Sequence, residues 1–209
     1  MILTYQGGAG VKVQFGDITL AVNPVSKDSK LKASKFGADI ALISLNHEDF
    51  NGVDQASLGG KKAFAITGPG EYEIKEVFIR GFKSESKYKE EDRINTVYTV
   101  NLENMNLCFL GALSTKDIPD NITESIDSID ILFITIGAPG LLSPADANRL
   151  IVKLAPKIVI PLYFDNKTEL KAFLKETGDD DEKPQDKLTI KKKDLEGKES
   201  AVVVLEAQA

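Results

Sequence analysis

The sequence predicts an α+β fold in which layers of β-sheet pack against helices. Short runs such as Val11–Phe15 alternate apolar and polar residues, which indicates half-buried strands. The second half of the chain instead alternates continuous apolar runs with amphipathic segments, the pattern of strand–helix–strand units. The 209 residues suit a single domain, 1–209, with enough core to fold without disulfides.

The first half is a series of short strands separated by glycine-containing turns. The apolar run from Ile40 to Leu45 is typical of a strand that is covered on both faces. The segment Gly7 to Gly10 joins two strands, so we expect a tight turn there and not a phosphate-binding loop. The predicted strands comprise residues 2–6, 11–15, 18–22, 40–45, 63–66, 71–74, 76–80, 95–102 and 106–110.

A capped helix between two buried strands opens the second half. The strands are predicted at residues 129–136 and 157–162. Ser143 has the side chain of a good N-cap, and Pro144 suits the first helical position. We expect Pro156 to end this helix.

The C-terminal quarter predicts a second helix, a loop and a hairpin. The helix spans residues 168–177 and is closed by Gly178. Residues 178–187 are rich in acids, and we expect a mobile surface loop there. The segments 188–193 and 200–205 predict a hairpin, followed by a tail to residue 209.

Charge and composition exclude several function classes. The net charge is −6 and the pI is about 5.0, which argues against binding to nucleic acids or to an acidic membrane surface. With one cysteine, Cys108, and one histidine, the chain alone builds neither a disulfide nor a Cys/His structural zinc site. Cys108 lies in an apolar strand and is expected to be an inert core thiol. The first residues lack the pattern of a signal peptide, so we expect a cytoplasmic location.

The segment with the most chemistry follows the predicted strand that ends at Leu45. It contains the only histidine, His47, with Glu48 and Asp49 beside it. Side chains that follow a buried strand emerge at its carboxyl end, where ligand sites collect in sheets of this kind. This loop is therefore the candidate site.

At this position the sequence resembles the metallo-β-lactamase superfamily, whose motif Thr-His-x-His-x-Asp-His follows such a strand. Other segments are similar, in order, to its small prokaryotic branch of metal-dependent hydrolases. These segments are residues 4–10 (TYQGGAG), 22–24 (VNP), 67–74 (TGPGEYEI), 110–113 (LGAL) and 157–163 (KIVIPLY). The resemblance covers nearly the whole chain and implies a four-layer αββα sandwich of the metallo-β-lactamase type.

The resemblance also implies that the metal site is degenerate. Of seven ligand positions, this chain keeps His47 and Asp49. The positions that lack a ligand are Leu45, Phe50, Ser86, Ala112 (the bridging carboxylate of the family) and Tyr163 (its last histidine). A catalytic zinc needs about three protein ligands and an open position for water, so we expect no cofactor here.

The leading hypothesis is a catalytically inactive relative that is kept for binding, assembly or regulation. His47 would then hold the loop through hydrogen bonds, and Asp49 would cap the following turn. Leu45 and Phe50 would fill the former metal pocket with hydrocarbon, which favours folding by roughly 1.5–3 kcal/mol each.

Two alternatives stay open. The first is an active hydrolase that binds zinc or another divalent metal through His47 and Asp49. Additional oxygen ligands for such a site could come from Glu48, Glu71, Glu85 or Asp165. The second is a protein-interaction module, whose partner is another protein or a second copy of the chain. The sequence specifies no small-molecule substrate.

Overall fold

The computed structural model describes residues 1–118, 120–126, 128–164 and 167–208, which form two mixed β-sheets with α-helices outside. The strands are β1 (Ile2–Tyr5), β2 (Val11–Phe15), β3 (Ile18–Val22), β4 (Ile40–Leu42), β5 (Phe64–Ile66), β6 (Gly70–Ile74), β7 (Val77–Ser86), β8 (Arg93–Leu102), β9 (Met105–Phe109), β10 (Ile131–Thr135), β11 (Ile158–Leu162), β12 (Leu188–Thr189) and β13 (Ala201–Val202). The helices are α1 (Asp120–Ser125), α2 (Pro144–Leu154) and α3 (Lys167–Thr177). The α+β class is confirmed.

The main core lies between the two sheets. One sheet has the strand order β12-β1-β2-β3-β4-β5, and the other has the order β13-β11-β10-β9-β8-β7-β6. Alternate residues of the facing strands point into a single apolar cluster, with Leu3 and Leu20 from the first sheet and Val100 and Phe133 from the second. This alternation explains why the period-two pattern of Val11–Phe15 predicted β2 correctly, whereas the strand predicted at 40–45 ends at Leu42 and the one predicted at 76–80 continues to Ser86.

The two outer faces are covered differently. The α-helices cover the seven-stranded sheet, with Ile122, Leu150 and Phe173 packed on its outward side chains. The outer face of the six-stranded sheet has small side chains, including Ala21 and Ala41, and a short 3₁₀-helix at Val53–Ala56 packs there. None of the described helices is long and apolar enough to cross a membrane.

Helix α2 is capped as predicted. The Ser143 side chain accepts a hydrogen bond from the backbone N–H of Asp146, and Pro144 is the first helical residue. The chain leaves the helix through Ala155 in a left-handed conformation, one residue before Pro156. Helix α1, in contrast, was not predicted from the sequence.

The predicted C-terminal hairpin is wrong. Strand β12 pairs with β1 in the six-stranded sheet, whereas β13 pairs with β11 in the seven-stranded sheet. A 3₁₀-helix at Lys192–Leu195 separates them. The C-terminal segment therefore joins the two sheets, and its apolar residues pack in two different clusters.

Candidate functional site

The candidate site lies where loops follow the carboxyl ends of several strands. Parallel pairing of β3 with β4 in one sheet, and of β10 with both β9 and β11 in the other, puts the carboxyl ends of the paired strands at one edge of each sheet. Among the described residues, six loops from both sheets contribute side chains to one buried apolar group, which we call the pocket cluster. Its members are Ala9, Leu45, Phe50, Tyr88, Ala112, Ala138 and Tyr163.

The pocket cluster contains most of the positions where the resemblance implies lost ligands. Leu45, Phe50, Ala112 and Tyr163 are all at most 4% exposed. The Phe50 and Tyr163 rings are stacked, with centroids 5.9 Å apart. Leu45 and Phe50 are thus buried hydrocarbon side chains in this cluster.

The loop that carries His47 leaves the six-stranded sheet and crosses to the other one. Beyond β4, the Ser44 carbonyl accepts a hydrogen bond from the Thr96 N–H of β8 at 2.8 Å. Close packing fixes this crossing, because a Cβ on Gly111 would lie 2.4 Å from the Ser44 side chain. His47 and Asp49 are thus held over the junction between the sheets.

Asp49 is a buried carboxylate, with its side chain 3% exposed. It accepts hydrogen bonds from the Ser29 and Tyr88 hydroxyls, from the Lys89 ammonium at 2.8 Å and from the Tyr163 hydroxyl at 3.3 Å. Burial alone would raise the pKa of Asp49, but these donors lower it, so the group stays ionised. The expectation that Asp49 caps the following turn is wrong, because its oxygens bind side chains from other segments.

His47 lies at the rim of the pocket cluster and is partly exposed. Its Nδ1 accepts a hydrogen bond from the Asp49 N–H at 3.1 Å, and its ring packs edge-on against Tyr88. Burial lowers the pKa of His47, and Lys89 adds to this effect against the opposing charge of Asp49. The neutral imidazole therefore uses one nitrogen to hold its own loop.

The segment after β7 contributes residues that sequence reasoning missed. Ser86, the predicted lost-ligand position, is buried, and its hydroxyl accepts a hydrogen bond from the Tyr88 N–H at 3.1 Å. The side chain that enters the pocket cluster is Tyr88, which is fully buried and hydrogen-bonded to the Tyr163 hydroxyl. The adjacent Lys89 binds Asp49. No local pattern singles out Tyr88 and Lys89, because their roles depend on where β7 ends.

Ala112 lies beside a buried amide. The Asn95 side chain accepts the Ala112 N–H at 2.8 Å and donates to the Leu110 carbonyl at 2.9 Å. These bonds fix the loop after β9 through the Asn95 amide. The methyl side chain of Ala112 has no atom that could bind a metal ion, whereas the family has its bridging carboxylate at this position.

These residues do not fit a catalytic metal ion. Asp49 is already bound to an ammonium group, and His47 is the only other His, Cys, Asp or Glu at the seven positions. In the part of the chain that the structure describes, no three His, Cys, Asp or Glu side chains are grouped closely enough to hold a metal ion. Glu48, Glu71 and Glu85 are described and belong to no such group, and Asp165 lies outside the described residues.

Solved structures share this fold over nearly their full lengths. The chain matches a protein from Thermotoga maritima assigned as a Zn-dependent hydrolase of the metallo-beta-lactamase superfamily, with a TM-score of 0.79, 24% identity and 99% of each chain covered. It matches a protein from Parabacteroides distasonis assigned as a metal-dependent hydrolase, with a TM-score of 0.67, 19% identity, and 99% and 93% covered. A metallo hydrolase from Ignicoccus hospitalis matches with a TM-score of 0.62, 16% identity, and 98% and 94% covered. At these identities the likeness shows the fold.

Sequence comparison gives the family. No curated protein matches the chain. A family model described as a beta-lactamase superfamily domain matches residues 2–163, well over half of the sequence. The chain therefore belongs to the metallo-β-lactamase superfamily.

Proposed function

We propose that this chain is a catalytically inactive member of the superfamily, retained for a binding or regulatory role. The observation that carries the proposal is the pocket cluster. Leu45, Phe50, Ala112 and Tyr163 occupy positions where the family has ligands, and they pack into a closed apolar group. A catalytic site needs an open position for water and substrate, and the burial of these four side chains argues against one here.

The polar groups at the site also support the proposal. Hydrogen bonds within the protein already engage the Asp49 carboxylate and the Nδ1 of His47. A general base must reach the proton that it removes. Asp49 is nearly inaccessible, and the Tyr88 and Tyr163 hydroxyls already donate hydrogen bonds to its carboxylate. The alternative of a rearranged hydrolase around His47 and Asp49 has less support from this arrangement.

A binding role would use the surface around the site. Because the pocket cluster is filled, a ligand or partner would contact the exposed side chains of the surrounding loops. The proposed partner is another protein or a second copy of the chain, and the proposed location is the cytoplasm. Nucleic acids and membranes are not proposed partners, given the net charge of −6.

Metal content and turnover test the proposal. Protein purified without chelator should contain substoichiometric zinc, iron and manganese by plasma mass spectrometry. With added zinc or manganese, the rates on ester, lactone and phosphodiester substrates should be equal for the wild type, for His47→Ala and for the exposed control Glu199→Ala. One or two tightly held metal ions per chain would refute the proposal, and so would metal-stimulated turnover that disappears in His47→Ala alone.

A further inference from the structure

The charge at Asp49 needs compensation that the pocket cluster does not offer. Its carboxylate accepts hydrogen bonds from the Tyr88 and Tyr163 hydroxyls, whose rings pack against Phe50, and its side chain is 3% exposed. An ionised carboxylate in such surroundings is strongly unfavourable unless a positive charge is near. Hydroxyl groups donate hydrogen bonds but supply no net charge.

The nearest positive charge is the Lys89 ammonium. Its Nζ lies 2.8 Å from Oδ2 of Asp49, and it also lies over the Tyr88 ring, 5.2 Å from the centroid. His47 cannot take this role while it is neutral, because its Nδ1 accepts the Asp49 N–H. Arg93 is bound to Glu91 and to the Asn46 carbonyl. The charge of Asp49 is therefore balanced chiefly by Lys89.

The backbone around Lys89 is shaped to place this ammonium. Lys89 and Glu90 both have left-handed conformations, with φ of 55° and 63°, which are uncommon for residues with a Cβ. The Lys89 N–H donates to the Pro139 carbonyl at 3.0 Å, and the Lys87 N–H donates to the Ser114 hydroxyl at 2.7 Å. The segment is held against the neighbouring loop at a glycine: a Cβ on Gly140 would be 1.8 Å from the Lys87 carbonyl oxygen.

We propose that the Lys89 ammonium is a built-in counter-ion that does for Asp49 what a bound metal cation does for a ligating carboxylate. The cation beside Asp49 is thus a primary alkylammonium group, and the Lys89 side chain of the same protein supplies it. The inference rests on the proposed function, since a catalytic metal on the Asp49 oxygens would have to displace Lys89.

Chemical rescue tests the inference. In Lys89→Ala, the missing atoms correspond to n-propylammonium. We expect this substitution to lower the equilibrium constant for folding roughly tenfold, because Lys89 is only half-buried and the pair is partly screened. Added n-propylammonium should restore most of the loss in urea unfolding. Tetramethylammonium at equal ionic strength should not restore the lost stability, because it carries a positive charge but has no N–H group to donate.

Two controls make the result specific. The exposed neighbour Lys87 is the matched variant: Lys87→Ala should change stability little and show no rescue. In an Asp49→Asn background, Lys89→Ala should lose most of its effect, because the carboxylate charge is gone. If Lys89→Ala does not fold alone, folding of the double variant Asp49→Asn/Lys89→Ala supports the inference, and its failure to fold overturns it.

Three outcomes overturn the inference: no loss of stability in Lys89→Ala, equal rescue by both cations, or an undiminished loss in the Asp49→Asn background. None of these outcomes depends on metal content. A failure here therefore leaves the proposed lack of catalysis standing, and tight metal binding by the wild type is detected separately.

Discussion

Two buried carboxylates lie at opposite ends of the strands and are held in similar ways. Asp130 precedes β10, is fully buried, and binds the ammonium groups of Lys157 at 2.8 Å and Lys192 at 2.7 Å. It also accepts the Asn106 N–H at 2.9 Å. Asp49 lies at the other end, in the loop after β4, and binds Lys89.

The comparison shows that Asp49, which the family resemblance implies as a ligand position, is held by the same kind of contact as Asp130. At both carboxylates, burial would raise the pKa, and the lysine hydrogen bonds lower it. The difference lies in the surroundings. Asp130 fixes backbone segments directly, whereas Asp49 lies among hydroxyl groups and aromatic rings and near residues with strained backbones, such as Tyr163 with φ of 56°. Strain of this kind clusters at functional sites.

The largest expected effect tests whether the pocket cluster is now core. Phe50→Ala should reduce the free energy of unfolding by about 3–5 kcal/mol, because a fully buried ring is lost and a cavity is left. Phe133→Ala, in the main core between the sheets, is the matched control and should cost a similar amount. Urea unfolding of both variants makes the comparison. A Phe50→Ala variant as stable as the wild type would show that the pocket is not packed as core.

The next effect separates the two carboxylates. Asp130→Ala should cost about 2–4 kcal/mol, because it releases two ammonium groups and leaves the Asn106 N–H without its acceptor. Asp49→Ala should cost about 1–2 kcal/mol, since the Lys89 ammonium it releases is nearly half exposed. Thermal and urea unfolding measure both. A gain of stability in Asp49→Ala would instead mark a carboxylate kept for function at the expense of stability.

The smallest effect comes from a third carboxylate, Asp39, whose side chain is 7% exposed and binds the more exposed Lys61 and Lys75. Burial raises its pKa, but the lysine hydrogen bonds outweigh this and lower the pKa to about 2. A lowered folded-state pKa gives stability that is present above the unfolded pKa of 3.8 and is lost as pH falls towards 2. With both lysines half exposed, we expect about 1 kcal/mol. The stability gap between wild type and Asp39→Asn should therefore close between pH 4 and pH 2, and a constant gap would contradict this.

Local patterns predicted most of the fold. The alternation in Val11–Phe15 and the Ser143-Pro144 cap each depend on residues close together in the sequence, so they were visible without a structure. The C-terminal strands were paired wrongly because each has two residues, and their partners, β1 and β11, are distant in sequence. Pairing between strands so far apart in the sequence depends on how the two sheets pack together, and local sequence patterns do not reveal that packing.

The site was predictable only in part. The loss of donors at Leu45, Phe50 and Tyr163 is visible in the sequence through the family resemblance, and it predicted an apolar filling. Tyr88, Lys89 and Ser29 were missed because they come to Asp49 from other loops. A lysine in a charged stretch such as residues 87–93 usually lies in solvent, so its sequence context gave no reason to single out Lys89.

The pocket cluster also has a consequence for folding kinetics. Its first and last members in the sequence, Ala9 and Tyr163, are separated by most of the matched family domain. We expect the loops that carry them to meet only after both sheets have formed and packed together. We expect contacts between such distant segments to form late, after the folding transition state, because closing so long a loop costs entropy before the contacts stabilise the chain. Residues there contribute mainly to the barrier against unfolding, so this filled pocket slows the opening of the folded chain more than it speeds its formation.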